Sequence, residues 1–160
     1  MKRIVLAVSI AVAPLSALAA QAPQVTIEGA KTEDARFEVA QRCTSTGGVI
    51  EENTPHQLIC SKPLGDSARA ELVRLLAASP SSTDPHMKLR YSFAESGGRV
   101  LISADAYLES QAAGGRVDRT PLTNDKLMAQ GQQVLDGIKA KLERRAAAPA
   151  KERAGLRRPN

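Results

Sequence analysis

Few residues in this chain are equipped for catalysis. The only histidines are His56 and His86. Each follows a proline, in Pro55-His56 and Pro85-His86, a setting for a solvated turn. With Asp84 they are the natural candidates for a general base or a metal ligand. A structural metal would need about four ligands, and the sequence brings no cluster of that kind together. Gly-x-Ser-x-Gly, His-Glu-x-x-His and a phosphate-cradling glycine loop are all missing. The pairs Gly47-Gly48, Gly97-Gly98 and Gly114-Gly115 lack the Lys-Ser/Thr pattern that marks a phosphate loop, so they read as a helix stop and turns. No cofactor and no metal are expected. Glu51-Glu52 cannot work as an acid–base pair on one strand face, because neighbouring strand side chains point apart.

Binding chemistry is better represented. Asp105 and Tyr107 alternate onto one face of a strand, and Arg90 falls on the strand expected beside it. That face could hold a partner, or Arg90 and Asp105 could simply pair across the strands. Arg116, Asp118 and Arg119 lie in the connection from Gln111 to Pro121, and long connections tend to carry function or to move. The candidate binding residues are therefore Arg90, Asp105, Tyr107, Arg116 and Arg119. Sugar-stacking and base-stacking sites are disfavoured, since Phe37, Tyr91, Phe93 and Tyr107 are the only aromatics.

The elements that must position these residues follow from pattern. Gln24 to Gly29 is a short strand-like lead. Thr32 can cap a helix opening with Glu33 and Asp34, acids suited to a helix N-terminus. Arg36, Val39, Ala40 and Cys43 share one side, with Phe37 beside them, and Gly47-Gly48 stops the helix. Strands follow at Val49–Glu52 and Gln57–Lys62. A second helix starts near Asp66 or Ser67 with Ala68, Leu72, Leu75 and Leu76 as its apolar stripe.

Met87, Leu89, Tyr91 and Phe93 then alternate with polar residues. Beyond Gly97-Gly98, Val100, Ile102, Ala104, Ala106 and Leu108 do the same, which reads as an antiparallel hairpin with one buried face. Thr123 or Asn124 caps a last helix carrying Leu127, Gly131, Val134, Leu135, Ile138 and Leu142. The order α-β-β-α-β-β-α gives an α+β two-layer sandwich, a four-stranded antiparallel sheet with helices on one face.

Cys43 and Cys60 lie on the apolar faces of the first helix and the second strand, so a helix packed on that strand can join them. A disulfide would close a loop of about 17 residues, worth roughly 3 kcal/mol on the chain-entropy account.

Met1-Lys2-Arg3, the apolar run Ile4–Ala13, Pro14 and Ala17-Leu18-Ala19 form the layout of a cleavable signal peptide. This gives residues 1–19 as signal, 20–145 as a single α+β domain and 146–160 as a disordered basic tail. No later stretch approaches the roughly 20 apolar residues of a membrane span. From Gln21 to Ile138 there are 12 Lys/Arg against 15 Asp/Glu, whereas Lys139 to Asn160 holds 8 against 2. The basic balance thus sits at the C-terminal end, and a nucleic-acid partner is not expected of an acidic body. Lys139, Lys141, Arg144 and Arg145 suit the negative end of the last helix. Lys151, Arg153, Arg157 and Arg158 beyond it could make weak contact with anionic lipid or cell wall.

The expectation is an exported, periplasmic, non-catalytic protein that binds another envelope protein, as an accessory of an assembly or secretion system. One rival is an inhibitor or immunity protein of a periplasmic enzyme. Another is a small periplasmic hydrolase using His56 and His86. Mass spectrometry of the protein from its native host should find an N-terminus near Ala20. An intact Met1 would remove the export expectation.

Overall fold

The computed structural model describes residues 22–62, 83–111 and 114–148. The expected signal segment, the helix expected from Asp66 or Ser67 and the basic end beyond 148 lie outside the described residues. The elements are β1 (Gln24–Glu28), α1 (Thr32–Ser45), β2 (Val49–Asn53), β3 (Gln57–Lys62), β4 (Thr83–Ser96), β5 (Arg99–Gln111), β6 (Val117–Pro121) and α2 (Asp125–Ala147). Among these residues no helix is long and apolar enough to cross a membrane.

The β4–β5 hairpin is the backbone of the fold. Its two-residue turn places Gly97 at φ 59° and Gly98 at φ 73°. Positive φ at both positions matches the right-handed twist of the flanking strands, and glycine adopts it without steric cost. The hairpin pairs Ser96 with Arg99 and runs back as far as Thr83 opposite Gln111. β3 and then β2 add antiparallel on the β4 side, and a register shift lies between Ile50 and Glu52.

The other edge of β5 is divided. Residues 99–103 pair with β1, and residues 107–111 pair with β6. At the junction Ala104 N–H donates to Pro23 O, and Leu122 N–H donates to Ala106 O, both at 2.9 Å. The sheet therefore has six strands rather than the expected four, ordered β1-β5-β4-β3-β2 with β6 also on β5. The α+β, antiparallel character stands. The connection from Gln111 to Pro121 is not a loop throughout but ends in β6. That strand shows no alternation of buried and exposed residues, so its signal is backbone pairing, which the sequence does not display.

Both helices pack on one face. Val25 and Ile27 of β1, Leu58 and Cys60 of β3, Tyr91 and Phe93 of β4, and Val100, Ile102 and Ala104 of β5 turn inward. They meet Ala35, Val39 and Cys43 of α1 and Leu135, Ile138 and Leu142 of α2. Phe37 is not beside this stripe; it is 62% exposed. With Ala35, Val39 and Cys43 setting the stripe at i, i+4 and i+8, position 37 falls about 160° from the middle of that stripe. Glu38 is 4% exposed and meets Lys141 at 2.5 Å and the Arg145 guanidinium, so this buried carboxylate joins α1 to α2.

The ends of α1 are fixed by other elements. Lys31 is the N-cap residue and its side chain makes no capping bond. Thr32 is instead the first helical residue, and its N–H and hydroxyl donate to the Glu95 carboxylate at 3.1 and 2.6 Å. A carboxylate at this end also faces the positive pole of the helix dipole. At the other end Gly48 N–H donates to Cys43 O and Gly47 N–H to Thr44 O, the paired bonds of a Schellman stop, with Gly47 at φ 76°. α2 is capped by Asn124, whose side chain accepts from Leu127 N–H at 2.8 Å. It continues past Arg145 to Ala147, and Ala146 lies against Gly29.

Cys43 and Cys60 form the expected disulfide, with Cα atoms 6.0 Å apart. Gly48 is pressed onto it. A Cβ there would lie 2.7 Å from Cys60 Sγ, 2.8 Å from Cys43 Sγ and 2.9 Å from Cys43 O. None of these atoms belongs to a flexible side-chain end. Gly48→Ala should therefore destabilise by about 1–3 kcal/mol. Gly137→Ala, where nothing lies within 4 Å, should stabilise by about 0.5–1 kcal/mol through helix propensity. Urea unfolding of both variants checks the contrast, and equal effects would show that Gly48 is not confined.

Candidate functional site

The sheet face away from α1 and α2 carries most of the candidate binding residues. Strand alternation turns Lys88, Arg90 and Ser92 of β4 outward, together with Leu101, Ser103, Asp105, Tyr107 and Glu109 of β5. The register places Arg90 opposite Asp105 and Lys88 opposite Tyr107, while Arg119 of β6 stands opposite Glu109.

These side chains form a connected lattice. Arg90 Nη2 donates to Asp105 Oδ2 at 3.1 Å, so the expected cross-strand pair is made. Lys88 Nζ donates to Glu51 Oε2 at 2.6 Å and also contacts Glu109 Oε1. Arg119 Nε donates to Glu109 Oε2 at 2.9 Å, and the Arg119 guanidinium lies 5.5 Å from the centre of the Tyr107 ring. A guanidinium over an aromatic face is attracted by the ring quadrupole. Tyr107 is 8% exposed, so it is a covered platform beneath Arg119 rather than a freely presented contact.

Arg90, Asp105, Tyr107 and Arg119 line a shared cavity of about 390 Å³ at the seam between β1 and β6, closed on the other side by Pro121, Leu122 and Met128. Arg116 is not part of it. It binds Asp118 two residues on at 2.9 Å. Asp118 is opposite Ser110, whereas Arg119 is opposite Glu109, so the Arg116–Asp118 pair lies on the other side of β6. Lys88, Glu109 and Glu51, the centre of the lattice, were missed in the sequence. The first two stand two residues from Arg90 and Tyr107, so strand periodicity carried them onto this face.

Electrostatics follows from the contacts. Desolvation pulls the Lys88 pKa down, but hydrogen bonds to Glu109 and Glu51 and their charges outweigh it, and the ammonium is held above its ordinary 10.5. Lys88 draws the Glu109 carboxyl below its ordinary 4.5, burial works against that shift, and Arg119 adds to it. Around the edge of this face Val49 (62%), Val117 (48%) and Leu101 (39%) are exposed apolar residues. Their register opposite Ser61, Gln111 and Ala94 puts them on the same outer side.

The histidines do not meet. His56 is exposed in the β2–β3 turn, where its carbonyl accepts from Phe93 N–H, whereas His86 pairs with Glu109 along the sheet. Positions 86 and 93 are seven steps apart along the strand, roughly 23 Å. Among the described residues no three of His, Cys, Asp and Glu gather as metal ligands. Comparison with protein-family models, with curated proteins and with solved structures gave no match.

Two carboxyls stabilise the fold in a pH-dependent way. Glu109 is held low by Lys88, and Glu95 is held low by the hydroxyl and N–H of Thr32. A lowered folded pKa contributes stability above the unfolded value and loses it as pH falls through the folded value. Thermal unfolding should therefore show a steep acid limb beginning below the ordinary carboxyl range near 4.5. Glu109→Gln should flatten part of that limb and cost about 1 kcal/mol at neutral pH, with salt reducing the difference. Lys88 acts in the opposite sense. Its contribution is full below 10.5 and fades as pH rises through the higher folded value.

Proposed function

We propose that this is an exported, non-catalytic periplasmic protein that binds another envelope protein through the outer face of its sheet, as an accessory of an envelope assembly or secretion system. The observation that carries the reading is the outer face itself. Val49, Leu101 and Val117 stand exposed on it beside the Arg90–Asp105 and Arg119–Glu109–Lys88 pairs. Charged side chains already held by their neighbours lose little rotamer freedom when a partner arrives, so less of the gross binding energy is lost to ordering. Arginine with an apolar surround is also part of the composition that interface cores favour.

A disulfide between Cys43 and Cys60 is compatible with export, because oxidising compartments are where such bonds persist. The breadth of the face favours an accessory over an inhibitor or immunity protein, which would present one protruding loop. Separation of His56 from His86 weighs against a hydrolase built from both.

Capture from an envelope extract, with the tag at the C-terminus, tests this by comparing variants. Arg90→Glu combined with Leu101→Asp should reduce recovery of the partner about tenfold or more, as expected for loss of central contacts. The melting temperature should fall only a few degrees, since both positions are partly exposed. His56→Ala and His86→Ala should capture as the parent does. Loss of an enzymatic activity in the histidine variants, with the face variants unaffected, would put the hydrolase in its place.

A further inference from the structure

On the helix side of the sheet, a cavity of about 420 Å³ opens between the first half of α2 and the inner faces of β4 and β5. Small-ligand clefts commonly measure about 300–1,000 Å³, with apolar walls and a few converging polar groups. The walls here are Met87 and Leu89 from β4 and Leu127, Met128 and Val134 from α2. All five are only half-buried, although Leu135, Ile138 and Leu142 further along α2 are buried. Near this opening Gly131 faces Pro23, where a Cβ would come within 3.1 Å of the proline ring.

Six polar side chains line the same space: Arg42 from the last turn of α1, Lys62 from the end of β3, Tyr91, Asp105 and, from α2, Gln130 and Gln133. Among the described residues neither Arg42 nor Lys62 has a carboxylate partner, and the Tyr91 hydroxyl has no hydrogen bond. Burial pushes the Tyr91 pKa up, with the Arg42 charge opposing it, so the hydroxyl stays protonated and can donate at neutral pH. Asp105 also touches this cavity, but its carboxylate is held by Arg90 on the outer face.

We propose that this cavity binds a single-chain anionic amphiphile, a long-chain carboxylate, with its head on Arg42, Lys62 and Tyr91 and its chain between the Met87–Leu89 wall and α2. Two cations without a carboxylate partner among the described residues, and a hydroxyl donor, complement a carboxylate, whose charge-assisted hydrogen bonds are the strong ones. The apolar walls offer an alkyl chain burial without leaving polar groups unpaired, which an extended peptide in the same place would do. Two of the three methionines of the chain sit in these walls, and flexible thioether side chains fit themselves to an irregular alkyl chain. The inference uses the helix side of the sheet and does not rest on the outer-face reading, although Asp105, Ala106 and Met128 border the outer cavity as well.

The test is titration of the full chain, labelled with carbon-13 at the methionine methyls, with laurate below its micelle threshold. The Met87 and Met128 resonances should shift saturably. Dodecyltrimethylammonium, with a matching chain and a positive head, should bind at least about tenfold more weakly. Arg42→Gln with Lys62→Gln should weaken laurate about tenfold or more, and Tyr91→Phe should weaken it by a smaller factor. Leu101→Asp, on the outer face and lining neither cavity, should leave laurate binding unchanged. Unshifted methionine signals, equal binding of the cationic amphiphile, or unchanged affinity in the Arg42/Lys62 variant would each overturn the proposal.

Discussion

The rest of the structure depends on how the thirteen-residue strand β5 satisfies its own backbone. One side is filled by β4. The other side must also be paired, because buried N–H and C=O groups left without partners are costly. Two five-residue strands share it, β1 along 99–103 and β6 along 107–111. This division sets the course of the chain at both ends of the domain. β1 enters with Val25 and Ile27 facing the core, and β6 delivers the chain to the Asn124 cap from which α2 crosses the same core. The seam between the two short strands falls at Asp105, where the outer cavity opens and which the inner cavity also touches.

The two faces of the sheet solve different problems. The inner face is apolar and covered by α1 and α2, with one buried acid, Glu38, held by Lys141 and Arg145. The outer face is polar and interlocked. Its most covered charged members, Lys88 and Glu109, are paired with each other, so the low-dielectric part of the lattice contains no lone charge. Tyr107 is nearly buried on this side while Leu108 is buried on the other, which is how one strand contributes to both layers at adjacent residues.

Much of this was legible in the sequence because it rests on periodicity. The β4–β5 hairpin follows from alternation and Gly97-Gly98, the end of α1 from Gly47-Gly48, the stripe of α2 from Leu135, Ile138 and Leu142, and the cysteine pair from the faces their elements bury. What was not legible depends on partners distant in sequence. Glu95 caps α1 from 63 residues away, and no local rule announces that. β6 is held by backbone bonds, to which the side chains of Val117-Asp-Arg-Thr-Pro give no period. Phe37 was drawn toward the core by its hydrophobicity, yet the helical angle places it outside. In the candidate site the cross-strand pair of Arg90 and Asp105 could be anticipated, whereas the separation of Arg116 from Arg119 could not, because it required a strand where a loop was expected.

One clasp bears on the order in which the molecule can assemble. Gln24 N–H donates to Gln132 Oε1, and Gln132 Nε2 donates back to Gln24 O, across 108 residues. The first strand is thus completed by the last helix. A chain synthesised from its N-terminus exposes Val25 and Ile27 long before Leu135 exists to cover them. Closure of so long a loop is slow compared with formation of the local β4–β5 hairpin. Val25 and Ile27 therefore stay uncovered by α2 until that helix has been made.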